Sequence, residues 1–470
     1  MEHRRTPMFV TVCIFALCGS CLGRGPAGTL PSDEQPPEQP GLQSLRRIEV
    51  TEDGAWSWLP DARAVCHAGS TNRTYIGWVD GAGEVWVASY DHASRAMQRT
   101  PLTEGLGGDD HSNPSLLVLE DGRIMAFYSA HGGSAIYSRT TLLPEDVTAW
   151  SDARAVTAVN RFAGGHWGYT YPNAVRLADA ESPLFLFFRG PDFKQWFVTS
   201  TDGLQWSSER QLMVGAGSKP YFKYAPDGAG SVHIAFTDGH PRGEPENSIY
   251  YLCYRDGAFY EADGTQAAEL DDLPFSPDDA DTVYGGSAET GRAWVSDISL
   301  DGDGRPVVVY ATFPEVDDHR CYYARWDGSA WVRREVTRTG SSFATDPVMR
   351  VGRVDRPLYY MFGGASIDPL DASRVYVARE VRSVYEIERW CTPDSGRTWT
   401  GWPITRGSSV HNVRPFVPWC ELDGGPEVLW LSGTYDDYDS YEMSLQMMVH
   451  DSSGLSSVEN PHEAMRPPPD

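Results

Sequence analysis

The chain has 470 residues, a formal net charge of −26, and many tryptophans (16), tyrosines (23) and glycines (46). That length exceeds a routine single domain unless the architecture repeats, and the acidity argues against nucleic acid or an anionic membrane surface as a general partner. It leaves room for one local basic pocket that takes an anionic ligand.

The first segment, "MEHRRTPMFVTVCIFALCGSCLGRG", has a basic start (Arg4, Arg5) and an apolar stretch from Met8 to Leu17, too short to span a bilayer. Small residues precede Cys21, so residues 1–21 read as a signal peptide, either of lipoprotein type with a lipid anchor at Cys21 or of the plain secretory kind. Residues 22–44 are Pro-rich and polar, which predicts a disordered tether. A globular domain is expected over 45–460 and a disordered tail over 461–470. The expected location is outside the cytoplasm: secreted, periplasmic or anchored at the outer membrane. Past the leader stand Cys66, Cys253, Cys321, Cys391 and Cys420, an odd number with no CxxC spacing, which does not suggest a disulfide framework.

Seven short hairpins follow in order. They turn at Asp80-Gly81, at Asp121-Gly122, near Asp179, at Asp227-Gly228, at Asp301-Gly302, near Gly352 and at Asp423-Gly424. Strand, Asp-Gly turn, strand is the antiparallel hairpin signal, and a unit recurring every ~40 to 75 residues is the size of a four-stranded blade. "STDGLQWSS" and "TPDSGRTWT" resemble Asp-box turns, in which Asp and Gly make the turn and the aromatic packs back on the sheet. The expected fold is therefore all-β, a seven-bladed β-propeller, closed by the strand near residue 50 or by "YEMSLQMMVH".

In a propeller the same edge of every blade meets around one axis. The repeat frame places on that edge His92 from unit one and His111 and His131 from unit two. Unit three adds Tyr169 or Tyr171 and Arg189, unit four adds Tyr221, Tyr224 and His240, and unit seven adds His411 and Tyr435. One arginine and no glutamate fall on this predicted rim.

Several ordered motifs, "DDHSNPSL", "YTYPNAV", "LFLFFRG", "KPYFKY", "HIAFTDGHPR" and "YYARWDGSAW", resemble the BNR-4 propeller family that contains the ulvan lyases. The resemblance implies a polysaccharide lyase whose partner is ulvan, a sulfated rhamnose–uronate polymer cut by β-elimination next to the uronate; a monomer is expected. That chemistry needs a cation on the carboxylate, a base for the C5 proton and an acid for the leaving O4. Arg189 suits the first task, because a guanidinium is always charged and grips a carboxylate in bidentate fashion. His111 and Tyr171 are the candidate base and acid in either order, with His131 sharing that work or positioning the sugar. Tyr221, Tyr224 and His240 would bind substrate.

No cofactor is expected for catalysis. The family is expected to hold a structural ion, zinc or calcium, and His240, Cys253 and His319 are the candidate ligands by residue type, although their spacing matches no zinc motif. Two other functions fit a propeller: a sialidase-like glycoside hydrolase, which needs an arginine cluster and a Tyr–Glu nucleophile, and a non-catalytic sugar-binding module. The insertion at 271–291 reads as a lid or an inert loop.

Overall fold

The computed structural model describes residues 45–450, except 104, 158–167, 179–182, 216–218, 345–347, 352–353 and 358–359; of 348–351 and 354–357 only the backbone is described. The leader, the tether, the tail and the turns near Asp179 and Gly352 lie outside the described residues. Seven antiparallel sheets of at least four strands follow one another along the chain as the blades of a propeller. Blade one runs from its inner edge outward through Ala64–Ala68, Asn72–Val79, Val85–Asp91 and Met97–Thr103. The inner strands of the next six begin at Ser115, Thr170, Phe222, Ala293, Ala365 and His411. The ring closes through Leu45–Thr51, which pairs with Ser440–His450 as the outer strand of blade seven.

Blades pack face to face, so their middle strands are buried on both sides. That is why "IMAFY", "LFLFFR" and "VHIAFT" are mostly apolar runs rather than alternating ones, and every residue in them is buried, the polar Arg189, His233 and Thr237 included. Between blades three and four Phe187 stacks on Tyr224 with ring centres 4.4 Å apart, and Phe185 meets Tyr254 at 5.2 Å. The Asp-box turns behave as their sequence implies. Asp202 accepts from the backbone N–H groups of Leu204 and Gln205, and Trp206 packs edge-on against Phe127 of the preceding blade.

Two of the seven turn signals are out of phase with the blades. The hairpin at Asp80-Gly81 joins the second and third strands of blade one, because the inner strand, Ala64–Ala68, turns into the second through Gly69-Ser70-Thr71, with no Asp-Gly pair. His92 therefore sits at the opposite edge of the sheet from the predicted rim, where its Nε2 lies 2.8 Å from Thr74 Oγ1. Near Gly352, Val348–Val351 and Val354–Pro357 pair, among the described residues, with each other alone; the inner pair of blade six is Ala365–Ile367 with Arg374–Val381.

One disulfide, Cys66–Cys420, links blade one to the loop after the inner strand of blade seven, across 354 residues. It fastens the same seam as the closing strand. Cys253, Cys321 and Cys391 are free thiols. The 271–291 insertion is packed rather than lid-like: Asp281–Tyr284 pairs with the third strand of blade four, and Phe275 is buried in the core between blades three and four.

Candidate active site

A cavity of about 280 Å³ opens at the edge where the inner strands begin, and every blade contributes to its wall. In blade two a short 3-10 turn, Asp110–Ser112, precedes the inner strand, with Asp109 as its N-cap accepting from the His111 backbone N–H. His131 follows the partner strand at the same edge. The two imidazoles stack nearly parallel, 8° apart with centres at 4.0 Å. Asp109 lies between them: its Oδ1 is 2.6 Å from His111 Nδ1 and its Oδ2 is 2.8 Å from His131 Nδ1. A second carboxylate, Asp110, is 2.8 Å from His111 Nδ1.

These contacts divide the protons. Burial would lower the pKa of His111, but the charges of Asp109 and Asp110 outweigh it and push it up to about 9. Burial, followed by the charge of His111, depresses His131 to about 3. Burial alone would raise Asp109, yet the charge of His111 and the two imidazole hydrogen bonds hold its carboxyl well below the usual range. At neutral pH the pair thus holds one extra proton, on His111. His131 is neutral and donates Nδ1–H to Asp109, so its lone pair is on Nε2.

Blades three and seven use the same backbone device. Ladder pairing is interrupted between Thr170 and Asn173 and between Val413 and Phe416. Tyr171 and Arg414, each before a proline, take positive φ of 58° and 54°. Such bulges re-aim a side chain, and both residues line the cavity. The Tyr171 ring lies 5.3 Å from that of His111, and the Arg189 guanidinium is 4.5 Å from the Tyr171 ring centre. Burial raises the Tyr171 phenol well above its ordinary value, while Arg189 pulls the other way. Arg189 is 3% exposed, and among the described residues its Nε and Nη2 have no hydrogen-bond partner and it makes no ion pair with a carboxylate. Arg414 is buried too, but it pairs with Asp110 and donates to Tyr435 Oη at 2.8 Å.

The sequence-derived set divides cleanly. His111, His131, Tyr171, Arg189, Tyr221, His240 and Tyr435 all line the cavity. Tyr169 does not; its hydroxyl donates to Glu209 at 2.9 Å. Tyr224 is a residue of the blade core, bonded by Gln195 Nε2 at 2.7 Å, because it lies two positions beyond the strand edge. His411 Nδ1 accepts from the Tyr385 backbone N–H. The expectation of a single arginine on the rim was wrong, since Arg242 and Arg414 also line the cavity. Sequence reasoning also missed Asp109 and Asp110, although both stand in "GDDH" directly before a flagged histidine.

The proposed metal ligands are not brought together. His240 accepts from the Arg242 N–H and stacks 4.7 Å from Trp294 in the cavity, Cys253 lies beside His233 at the far end of its strand, and His319 packs on Phe313 at 4.8 Å in blade five. Among the described residues one other set, Asp109, His111 and His131, has ligand atoms within 4.8 Å of one another. Its rings are parallel and stacked, so no point lies in both ring planes at bonding distance from both Nδ1 atoms. That arrangement suits shared protons, not an ion.

Known proteins give a consistent comparison. The profile of the BNR repeat-containing family matches residues 73–339. An ulvan lyase, PL25, from Pseudoalteromonas sp. (strain PLSV) is 24% identical over 334 residues, covering 58% of this chain and 65% of that protein. The match thus spans just under two thirds of the relative's length. A solved PL25 ulvan lyase superposes with a TM-score of 0.65 at 15% identity, covering 86% of this chain and 96% of that one. Its complex with -[GlcA(1-4)Rha3S]- gives 0.64 at 14% identity with the same coverage. The fold they share with this chain is the propeller.

Proposed function

This chain belongs to the BNR repeat-containing family, whose profile covers more than half of it, and from that premise and the site we propose that it is a polysaccharide lyase cleaving ulvan by β-elimination next to the uronic acid. The observation that carries the reading is Arg189: a buried guanidinium that meets no carboxylate among the described residues, at the wall of a cavity that also holds a histidine pair and a phenol. A buried cation of this kind is strongly disfavoured unless an anion meets it. Support comes from the Pseudoalteromonas relative, an ulvan lyase, and from the solved neighbour bound to a glucuronate–rhamnose sulfate unit.

Each group has one task. Arg189 grips the uronate carboxylate and offsets the charge that builds on it as C5 loses its proton. The neutral ring of the stacked pair, His131, takes that proton on Nε2, with Asp109 fixing its tautomer through Nδ1. Tyr171 gives its hydroxyl proton to the leaving O4, and Arg189 against its ring stabilises the phenolate that forms. His111, held charged by two carboxylates, keeps the pair from accepting a second proton in the resting state. The C4–O4 bond breaks as the C4=C5 bond forms, so no water is consumed.

Hydrolysis of sialidase type fits less well despite the additional arginines. The acid lining the cavity is Asp437, not glutamate, and Arg414 is already paired with Asp110. We also propose that the mature protein is exported as a monomer, whether free or lipid-anchored; the Cys66–Cys420 bridge fits an oxidising compartment. The test is turnover of ulvan by His131→Ala and Tyr171→Phe. Each should release unsaturated product at least a hundredfold more slowly with the melting temperature nearly unchanged. Folded variants of both that work at the wild-type rate would place the chemistry elsewhere.

A further inference from the structure

Between the closing strand and blade one runs "GAWSWLP", residues 54–60. It forms no strand, yet every residue in it is buried. Its polar groups find partners around the ring. The Gly54 N–H donates to Met443 O of blade seven at 2.9 Å, and the Ser57 N–H to Asp110 O of blade two at 2.8 Å. Trp58 Nε1 donates to Val295 O of blade five at 3.3 Å, and Lys223 Nζ of blade four donates to Trp58 O at 2.7 Å. The segment therefore lies across the middle of the ring, and its Trp58 and Leu59 line the cavity.

Its two ends meet the two halves of the proton chemistry. At one end the Ser57 N–H also reaches Asn113 Oδ1 at 3.0 Å, and Trp56 O accepts at 2.6 Å from Arg414 Nη1, which lies 2.5 Å from Asp110 Oδ2. Those contacts hold the turn that carries His111. At the other end the Asp61 N–H donates to Asn173 Oδ1 at 3.0 Å, and Asn173 Nδ2 donates to Tyr171 O at 2.9 Å. Asn173 is 2% exposed, so its amide is a buried tie between the segment and the bulge that aims Tyr171. Lys223, also buried, pairs with the Asp61 carboxylate as well as with Trp58 O and so clamps the stretch between the two ends.

We propose that residues 56–61 are a spacer that fixes the separation of the blade-two histidines from the Tyr171 phenol, and that Asn173 and Lys223, neither of which lines the cavity, are positioning residues for Tyr171. The inference rests on the lyase reading above. The base must meet C5 and the acid O4 of adjoining atoms in one sugar, so their spacing has to match that sugar. The two groups stand on separate sheets with no ladder between them, and a misplacement of about 1 Å can cost on the order of a hundredfold in rate. A hydrogen-bonded segment joined to both sheets supplies the tie that blade packing alone lacks.

The experiment measures kcat and KM on ulvan for wild type, Asn173→Ala, Tyr171→Phe and the double variant. Asn173→Ala should lower kcat by about tenfold or more and leave KM within about twofold, because Arg189 still holds the carboxylate. Once Tyr171→Phe has removed the proton donor its placement no longer matters, so the double variant should be as slow as Tyr171→Phe and no slower. Losses that multiply in the double variant, or an Asn173→Ala kcat equal to that of wild type, would overturn the spacer and leave the lyase reading standing. If Asn173→Ala does not fold, Asn173→Ser and Lys223→Met enter the same cycle with the same expectation. If none of the three folds, the segment serves the fold alone and the proposal is overturned. Wild-type protein that leaves ulvan intact would remove the lyase reading and the spacer with it.

Discussion

Replacing Asp109 by asparagine should inactivate the site without touching a group that meets the substrate. Asp109 accepts from Nδ1 of both imidazoles, at 2.6 and 2.8 Å. An amide offers one acceptor and one donor in place of two acceptors. One imidazole must then present a lone pair at Nδ1 and its proton at Nε2, which removes the base if that ring is His131. His111 also loses one of the two carboxylates that raise it to about 9. With Asp110 still at 2.8 Å, its pKa should fall but stay above the ordinary imidazole value. The combined loss of tautomer and orientation should lower kcat by roughly a hundredfold to ten-thousandfold, with a smaller change in KM because Arg189 is untouched. The assay is the initial rate of unsaturated-product formation from ulvan between pH 6 and 10. The variant should be slow throughout, with its alkaline limb moved towards neutrality. A folded Asp109→Asn protein with wild-type kcat and an unmoved pH profile would refute the shared-anchor account.

Three further outcomes follow from the structure. Arg189→Ala should slow turnover by about a hundredfold or more, the scale of about 2–4 kcal/mol of lost transition-state stabilisation; Arg189→Lys should restore only part of it, since an ammonium lacks the fork, and near-wild-type rates in both would displace Arg189 from the carboxylate. Stability should peak near pH 6.5, where an unfolded histidine titrates. The contribution of His111, whose folded pKa is raised to about 9, is complete below that point and lost as pH rises through 9, by on the order of 3 kcal/mol. His131, depressed to about 3, gives the opposite limb as pH falls. Thermal melts at pH 6.5 and 9.5 check this; His111→Gln should flatten the alkaline limb, and equal limbs in both proteins would contradict it. Cys66→Ser should lower stability by about 2–5 kcal/mol in denaturant titrations while leaving ulvan turnover near wild type, because the bridge reinforces a seam already closed by Leu45–Thr51; an unchanged midpoint would show that the strand closes the ring unaided.

The hairpin from Asp110 to His131 shows what a sequence can disclose. Two strands and an Asp-Gly turn fix an antiparallel pair, the pair puts both ends on one edge, and the rings do stack at 4.0 Å. The same reasoning puts Arg189 on that edge but leaves Tyr169 and Tyr171 open, and only Tyr171 lines the cavity. Arg414 was not found, because its place in the cavity depends on a bulge before a proline that displaces it from the register its strand would give. Tyr224 failed for the converse reason: strand alternation carries it into the contact between blades, where Phe187 stacks on it. His92 was misplaced when the second hairpin of blade one was taken for its first, since Asp-Gly turns occur at either level of a blade. The Cys66–Cys420 bridge had no local signal, being a property of ring closure across 354 residues. His240, Cys253 and His319 share residue types that suit zinc, but residue type alone places nothing in space.

The most direct test of the account is to incubate the wild-type protein with ulvan and follow ultraviolet absorbance and new reducing ends together. Elimination creates a double bond conjugated to the uronate carboxylate, so the account predicts one absorbing product end for each reducing end, abolished in Arg189→Ala. Reducing ends that accumulate without absorbance would identify a hydrolase, and a polymer left intact by the folded protein would contradict the assignment as a lyase.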